Sequence, residues 1–213
     1  MNPLLATVTG KGIRADAQRA VTPEQTLERV RPLFDTIGLT RLADITGLDS
    51  VGIPVVLSVR PQAGYLSVDG GKGFTRTAAM ASAAMECFER HAGERTEFER
   101  FTCSYDELPA DRRIAEADLP LSRNSIFTPK LPQQWAWADD LLGGGDSVAV
   151  PTVMVGLERH KHPRSSPLPF HFSSNGLNSG NTASEALIGG LYEVIERDAT
   201  TCTKYSWRYG APM

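Results

Sequence analysis

The chain has 213 residues, enough for one sizeable hydrophobic core or two small ones. Its 41% hydrophobic and 22% charged residues are ordinary for a globular protein, and the net charge of −3 gives no electrostatic reason to expect nucleic acid or an anionic membrane as a partner. No apolar run approaches a membrane span, and the first residues lack the pattern of a secretion signal. The three cysteines are widely spaced without a Cys-x-x-Cys motif, which indicates a reducing cytoplasm.

The first predicted elements are a helix and a strand. Thr22, Pro23 and Gln25 form a typical helix start, with a capping hydroxyl, a proline in the first turn and an amide side chain at the third position. Apolar residues at helical spacing follow, and Gly38 ends the pattern. Residues 53–59 are rich in valine and predict a strand.

The middle of the chain predicts a turn and a hairpin. Residues 70–73 read Gly-Gly-Lys-Gly and predict a tight turn into a helix; a phosphate-binding loop is the alternative, although the spacing of a P-loop is missing. Residues 135–138 and 147–155 flank a glycine-rich turn at 143–146, which predicts a β-hairpin.

Residues 75–93 and 182–205 predict two long acidic helices. Each contains Glu-x-x-Glu-Arg, at 86–90 and 193–197. At about 100° per residue, the acidic and polar residues of each helix fall on one side. Two interpretations are open. The paired carboxylates form a divalent-cation site beside a phosphorylated ligand, or the charges are ordinary i,i+4 ion pairs on a solvated helix face.

If the two helices face each other, four carboxylates converge, those of Glu86, Glu89, Glu193 and Glu196. They would repel one another unless cations lay between them. Ligands that are all oxygen suit Mg²⁺ better than zinc. The sequence contains no Glu-x-x-His motif, which argues against a di-iron site. We expect this convergence, and we expect the apolar sides of both helices to pack on one sheet that contains residues 55–59 and 148–155.

At these two helices the sequence resembles the YcaO family. The resemblance is carried by Ser-x-x-x-Glu-x-x-Glu at 82–89 and by Asn-x-x-x-Glu at 181–185 followed by Glu-x-x-Glu-Arg at 193–197, the motifs that make the ATP site of that family. Residues 40–56 resemble the members that work beside a TfuA partner. Residues 10–12 and 22–26 resemble the family's opening segment, where a lysine and a hydroxyl side chain reach the nucleotide.

The resemblance implies an α/β (α+β) YcaO-like fold, with mixed or antiparallel sheets and long acidic helices flanking an ATP site. It implies a single domain over residues 1–213 without an internal boundary, equivalent to about the first half of a family member. The implied Mg²⁺ ligands are Glu86, Glu193 and Glu196. The implied nucleotide contacts are Lys11, Thr26, Ser82, Glu89, Asn178, Asn181, Glu185 and Arg197.

Family members use ATP to activate a peptide amide oxygen before a nucleophile attacks the amide carbon. Attack by a neighbouring Cys, Ser or Thr side chain gives an azoline. Attack by sulfide gives a thioamide, and attack by an amine gives an amidine. The resemblance therefore implies an ATP- and Mg²⁺-dependent cyclodehydratase or thioamidation enzyme of the cytoplasm, acting in peptide (RiPP) biosynthesis. The implied partners are a peptide or protein substrate, a TfuA-like protein and further copies of the chain. Because the later site residues of the family are missing, a non-catalytic nucleotide-binding or scaffolding remnant is a second hypothesis, and a Mg²⁺-dependent hydrolase of another family is a third.

Overall fold

The structure is a computed structural model that describes residues 19–95, 97–141, 147–157 and 168–209. The chain divides into two compact units, which are described separately. The first unit comprises residues 60–67 and 90–174, and the second comprises the described residues up to 59, with 68–89 and 175–209. The single domain implied by the sequence stays a prediction. Within the described ranges, no helix is both long and apolar enough to span a membrane.

The second unit begins with a capped helix. Helix α1 spans Pro23–Val30, and its capping box is complete: the Thr22 hydroxyl accepts a hydrogen bond from the Gln25 N–H at 3.2 Å, and the Gln25 side chain accepts one from the Thr22 N–H at 3.0 Å. These two bonds satisfy N–H groups that have no partner inside a helix. The predicted helix start is confirmed.

The helix continues less regularly than its apolar spacing suggests. A 3-10 turn at Arg31–Leu33 interrupts it, because Pro32 has no N–H to donate and its ring crowds the preceding turn. Helix α2 then spans Phe34–Ile37 and ends at Gly38, whose φ of 73° is the left-handed conformation that favours glycine. The predicted end of the helix is confirmed.

An antiparallel sheet follows in the same unit. Its order is β1-β2-β3, so that β2, the strand predicted from the sequence, is central and paired along both edges. The three strands are β1 at Arg41–Asp44, β2 at Val55–Val59 and β3 at Val68–Lys72. Helix α3, Arg76–Arg95, comes directly after β3.

The tight turn predicted for residues 70–73 is wrong, because three of these residues belong to strand β3. A Cβ atom on Gly71 would lie only 2.6 Å from the Cα of Ala83 and 2.5 Å from the carbonyl oxygen of Ala79, both on helix α3. Glycine therefore lets the strand backbone lie directly against the helix backbone. Here the glycines mark a close approach between two elements and not a turn.

Small residues on α3 complete this contact. One side of the helix is buried against the sheet and against α1 and α2, while the other side is more exposed. The completely buried residues of the helix are Ala79, Ala83, Ala84 and Cys87. Because these side chains are short, the helix can lie close to β2 and β3 with native packing density.

The first unit contains a second antiparallel sheet, of order β4-β5-β6. Its core is aromatic: Trp135 is fully buried, and its ring centroid lies 5.7 Å from that of Phe170 and 6.3 Å from that of Tyr105. The indole N–H donates to the carbonyl of Cys103 at 3.0 Å, so that the buried polar atom is satisfied. The strands are β4 at Phe101–Cys103, β5 at Gln133–Asp139 and β6 at Ser147–Pro151.

Strands β5 and β6 confirm the predicted hairpin pairing, with Trp135 opposite Pro151, although the turn residues lie outside the described ranges. The predicted second strand is too long, because residues after Pro151 form the short helix α4, Thr152–Val155. The single sheet expected to hold both residues 55–59 and 148–155 is wrong. Since β2 is hydrogen-bonded on both edges by β1 and β3, it has no free edge for β6.

A buried ion pair joins two segments of the first unit. The guanidinium of Arg60 donates to both carboxylate oxygens of Glu94, at 2.7 and 2.8 Å, and the two side chains are 3% and 4% exposed. The backbone N–H groups of Gly64 and Tyr65 also donate to this carboxylate, at 3.0 and 2.9 Å. A buried charge with this many partners is strongly destabilising when one partner is removed.

We predict that Glu94→Gln lowers the free energy of unfolding by roughly 3 kcal/mol at neutral pH. Burial raises the pKa of the Glu94 carboxyl, but the hydrogen bonds from Arg60, Gly64 and Tyr65 and the charge of Arg60 outweigh it and hold the pKa below its ordinary value of 4.5. The folded-state pKa is depressed, so this stabilisation is complete above about pH 4.5 and is lost as the pH falls through the folded-state pKa.

Urea unfolding of wild type and variant at pH 7 and pH 3 measures this difference. The exposed Glu97→Gln is the matched control and should change the free energy of unfolding by less than about 0.5 kcal/mol. A difference between wild type and Glu94→Gln that is the same at both pH values would contradict the assignment.

Candidate functional site

A cavity of about 270 Å³ lies in the second unit. Its walls come from the chain before and within α1, from the end of β3 and the more exposed side of α3, and from residues 178–181, which precede helix α5, Ala183–Tyr209. The residues implied by the resemblance that line the cavity are Thr26, Ser82, Glu86, Glu89, Asn178 and Asn181. The cavity therefore brings together parts of both sequence motifs.

Helix α3 contributes Ser82, Glu86 and Glu89 because residues three and four apart share one face of a helix. The neighbouring side of the helix, with Ala79, Ala83, Ala84 and Cys87, is completely buried. The close packing of that face fixes which way the helix is turned. The polar side predicted from the helical period is thus the side that lines the cavity.

The wall opposite α3 is held by contacts of the loop before α5. The Ser179 hydroxyl donates to the carbonyl of Met85 on α3 at 3.1 Å. Asn178 lies against α5 at Gly189, where a Cβ atom would come within 2.7 Å of the Asn178 Cγ. Glycine at this position therefore makes room for the amide side chain of the loop.

A buried carboxylate ties this wall to the start of the described chain. Glu185 is 6% exposed and accepts hydrogen bonds from the backbone N–H of Ala20, from the backbone N–H of Asn181 at 2.8 Å and from the Asn181 side chain at 3.4 Å. The guanidinium of Arg19 lies 3.9 Å away. In turn, the Asn181 side-chain oxygen accepts a hydrogen bond from the Thr26 hydroxyl at 3.1 Å. The side chains of Glu185 and Asn181 together therefore link residues 19–20, helix α1 and the loop before α5.

These contacts also decide the charge of Glu185. Burial raises the pKa of the carboxyl, but the hydrogen bonds from Ala20 and Asn181 and the charge of Arg19 outweigh it, and the pKa lies below its ordinary value. The group is therefore ionised at neutral pH. Because its oxygens are already occupied by protein donors, the arrangement suits holding Asn181 and Ala20 in place more than binding a ligand directly.

The acidic residues further along α5 lie apart from the cavity. Glu193 accepts a hydrogen bond from the N–H of Gly176 at 2.9 Å and forms an i,i+4 ion pair with Arg197, while Glu196 is exposed. None of Glu193, Glu196 and Arg197 is among the residues that line the cavity. Glu193 and Arg197 thus form the i,i+4 ion pair expected under the second interpretation.

The expected convergence of four carboxylates is not present in the structure. Within the described ranges, no three or more His, Cys, Asp or Glu side chains lie close enough to hold a metal ion together. The physical reason is that Glu193 is engaged by Gly176 and Arg197, and Glu196 points into solvent. The roles of Glu193 and Glu196 as metal ligands, and of Arg197 as a nucleotide contact, stay predictions.

Some lining residues were not assigned from the sequence. Arg19, Lys72 and Ser179 line the cavity, and the two cations add positive charge close to Glu86 and Glu89. Lys72 lies in the glycine-rich motif, which hinted at a phosphate loop, but it enters the cavity from the end of a strand. Ser179 lies two residues before the Asn-x-x-x-Glu motif at 181–185, whereas Arg19 follows no sequence pattern. Lys11 lies outside the described residues.

The side chains that line the cavity suit one kind of ligand, phosphate groups bound together with a divalent cation. Glu86 and Glu89 offer oxygen ligands of the kind that Mg²⁺ prefers. The amides, hydroxyls and two cations around them suit the oxygens of phosphate groups. The fold and the cavity thus define an α/β protein whose site suits a phosphorylated ligand together with a hard divalent cation.

Comparison with known proteins gives the family. The family model described as YcaO cyclodehydratase, ATP- and Mg²⁺-binding, matches residues 70–212. A protein encoded in the tfuA 3′ region of Rhizobium leguminosarum bv. trifolii is 40% identical over 91% of this chain and 45% of its own length. A protein of Methanothermobacter thermautotrophicus is 39% identical over 85% of this chain and 46% of its own length.

A solved structure agrees with these relatives. YcaO from Methanopyrus kandleri, bound with AMPPCP and Mg²⁺, is 34% identical, with a TM-score of 0.63 over 88% of this chain and 46% of that one. The chain belongs to the YcaO family. The resemblance seen in the sequence and the implied fold class, with its antiparallel sheets, are confirmed. The chain spans about half the length of the relatives it matches.

We predict that Glu185→Gln lowers the free energy of unfolding by about 2 kcal/mol. Glutamine offers one acceptor oxygen where the carboxylate offers two, and its NH₂ group then faces a backbone N–H donor. Urea unfolding at pH 7 measures the change. Glu28→Gln on the exposed side of α1 is the matched control. Equal stability of the Glu185 and Glu28 variants would show that the buried carboxylate does not hold the cavity wall.

Proposed function

We propose that this chain forms the ATP- and Mg²⁺-binding part of an enzyme that activates the backbone amide of a peptide. The observation that carries the proposal is the cavity in which Ser82, Glu86 and Glu89 of α3 are brought together with Asn178 and Asn181, in a member of the YcaO family. The relative from Methanopyrus kandleri, whose structure holds AMPPCP and Mg²⁺, supports the choice of ligands.

The proposed roles follow the chemistry of each side chain. Glu86 is the proposed Mg²⁺ ligand within the cavity, and Ser82, Glu89, Asn178 and Asn181 are the proposed nucleotide contacts. The cations of Arg19 and Lys72 would offset the charge of the phosphates. We also propose Lys11 and Arg197 as nucleotide contacts and Glu193 and Glu196 as Mg²⁺ ligands. For these residues the proposal rests on the sequence motifs alone.

Thr26 and Glu185 have a holding role in this proposal. The Thr26 hydroxyl and the Glu185 carboxylate bind opposite ends of the Asn181 amide, so its oxygen and its NH₂ group are both fixed by the protein. A side chain that is positioned before the ligand arrives loses little freedom on binding. The wall of the cavity is therefore largely preorganised.

The proposed reaction needs a site of this kind because an amide oxygen is a poor leaving group. When bound, ATP supplies the phosphoryl group that converts this oxygen into phosphate, which leaves readily. The protein contributes by orienting the phosphates and by compensating negative charge with Lys72 and Arg19. Glu86 would hold the Mg²⁺ ion, which would reduce the repulsion between the phosphates.

The finer reaction that we propose is thioamidation, in which sulfide attacks the activated carbon, with a TfuA-like protein as partner. The support is the Rhizobium relative, which is encoded in the tfuA 3′ region. Heterocyclisation by a neighbouring side chain uses the same activation step and differs only in the nucleophile. Adding peptide with and without sulfide, in the presence of TfuA, separates the two by the mass of the product.

A nucleotide-binding component without turnover is the second candidate function. It is favoured by the position of Glu193, Glu196 and Arg197 outside the cavity lining. The two candidates differ in the release of phosphate from ATP when peptide is present. An enzyme releases phosphate in a peptide-dependent manner, and a binding component does not.

We predict that AMPPCP binds only when Mg²⁺ is present, because the carboxylates of Glu86 and Glu89 repel the bare triphosphate. Isothermal titration calorimetry should show heat with Mg²⁺ and none with EDTA. Glu86→Gln should weaken binding about tenfold or more, since it removes a charged oxygen ligand. Glu116→Gln, an exposed glutamate of the other unit, is the control and should leave the affinity unchanged. Equal binding with and without Mg²⁺, or an unaffected Glu86→Gln, would remove the metal assignment.

A further inference from the structure

The segment just before helix α1 forms one wall of the cavity in an extended conformation. Arg19, Val21 and Pro23 line the cavity, whereas Ala20 and Thr22 between them do not. Successive side chains of an extended chain point to opposite sides. The backbone of Thr22, with φ −73° and ψ 160°, is extended. Residues 19–22, the strap, therefore turn every second side chain toward the site of the ligand.

The strap is held in two different ways at its two ends. At its carboxyl end it leads directly into α1, where Thr22 forms part of the capping box. Near its other end, the buried carboxylate of Glu185 accepts a hydrogen bond from the backbone N–H of Ala20, a residue 165 positions away in the chain. Residues 19–22 belong to no helix or strand, so this contact is not part of a ladder of backbone hydrogen bonds. One carboxylate therefore acts as the latch of the strap.

Arg19 connects this latch with the interior of the cavity. Its guanidinium lies 3.9 Å from Glu185 and also lines the cavity. The Arg19 side chain is 48% exposed, whereas that of Glu185 is 5% exposed. A guanidinium carries five N–H donors, so Arg19 can bind a phosphate in the cavity while it stays beside Glu185. An anionic ligand would then bind the side chain that lies next to the latch and would stabilise the closed strap.

We propose that the strap is a gate, which opens when Ala20 and Arg19 separate from Glu185 and which must open for a nucleotide to enter or leave the cavity. The gate rests on the proposed function only for the identity of its ligand, a nucleoside triphosphate with Mg²⁺. One hydrogen bond to a charged group shifts an equilibrium by about tenfold to a hundredfold. The strap is therefore closed most of the time and opens without unfolding of the rest of the unit.

A gate differs from a fixed wall in the rates of ligand exchange. Loosening a gate raises the rate constants of both entry and exit, because each step needs the open strap. Damage to a fixed wall raises the exit rate alone, because the bound state loses contacts while the way in is unchanged. The rate constant of entry therefore separates the gate from the holding role of Glu185 toward Asn181.

Ala20→Pro is the test variant, because proline has no N–H to donate to Glu185. Proline also restricts the residue before it to extended conformations, which suits the strap. Ala20→Ser keeps the N–H and is the matched control. Stopped-flow fluorescence with a methylanthraniloyl derivative of AMPPCP and Mg²⁺ measures entry, and displacement by excess AMPPCP measures exit. We expect Ala20→Pro to raise both rate constants about tenfold or more, and Ala20→Ser to leave both unchanged.

A second measurement needs neither a variant nor a nucleotide. In the wild type, hydrogen exchange followed by NMR should show the Ala20 N–H at least about tenfold slower than in an unstructured peptide. It should exchange faster than the N–H groups of strand β2, which is paired along both edges, because the strap opens locally.

Three results would overturn the gate. They are an unprotected Ala20 N–H, an Ala20→Pro variant whose exit rate rises while its entry rate stays constant, and equal effects of Ala20→Pro and Ala20→Ser. If the wild type does not bind AMPPCP, the proposed function is wrong and the strap has no nucleotide to admit. If nucleotide binds and Ala20→Pro leaves both rate constants unchanged, the gate alone is wrong.

Discussion

The direct contact between strand β3 and helix α3 is the constraint on which the cavity depends. The backbone of Gly71 lies against the backbone of Ala79 and Ala83, and Gly73 leaves no room for a side chain beside Ala78. Since the alanine side of α3 must face the sheet, the rotation of the helix is fixed, and the neighbouring side with Ser82, Glu86 and Glu89 is held toward the cavity. A methyl group added to the strand would separate the two backbones and rotate or shift the acidic side relative to the rest of the site.

The other walls of the cavity depend on one ionised group. Glu185 joins the chain before α1 to the loop before α5, and it does so with hydrogen bonds to backbone N–H groups. The resemblance to the family implies a nucleotide contact at this position. The hydrogen bonds support an indirect role, in which the carboxylate holds Asn181, and Asn181 together with Thr26 faces the cavity.

Features that depend on local chemistry could be predicted from the sequence. The capping box at Thr22, the helix end at Gly38 and the shared face of Ser82, Glu86 and Glu89 all follow from residues within a few positions of each other. Features that depend on residues far apart in the chain could not be predicted from the sequence. The glycines of β3 have the sequence of a turn, and only the alanines of α3 explain why they form a strand. No local pattern marks Arg19 as a lining residue, or Gly176 as the partner of Glu193.

Helix α5 also has a gradient of local stability. Its first turns are anchored, because Glu185 is buried in a network of hydrogen bonds and the backbone at Gly190 lies against Gly176. Its later turns contain no buried residue between positions 191 and 207. Opening of a helix costs little free energy where few contacts are lost, and it approaches the global value where buried groups must separate. Fraying of α5 should therefore start at its carboxyl end and stop near Gly190, which leaves Glu185 and the wall of the cavity in place.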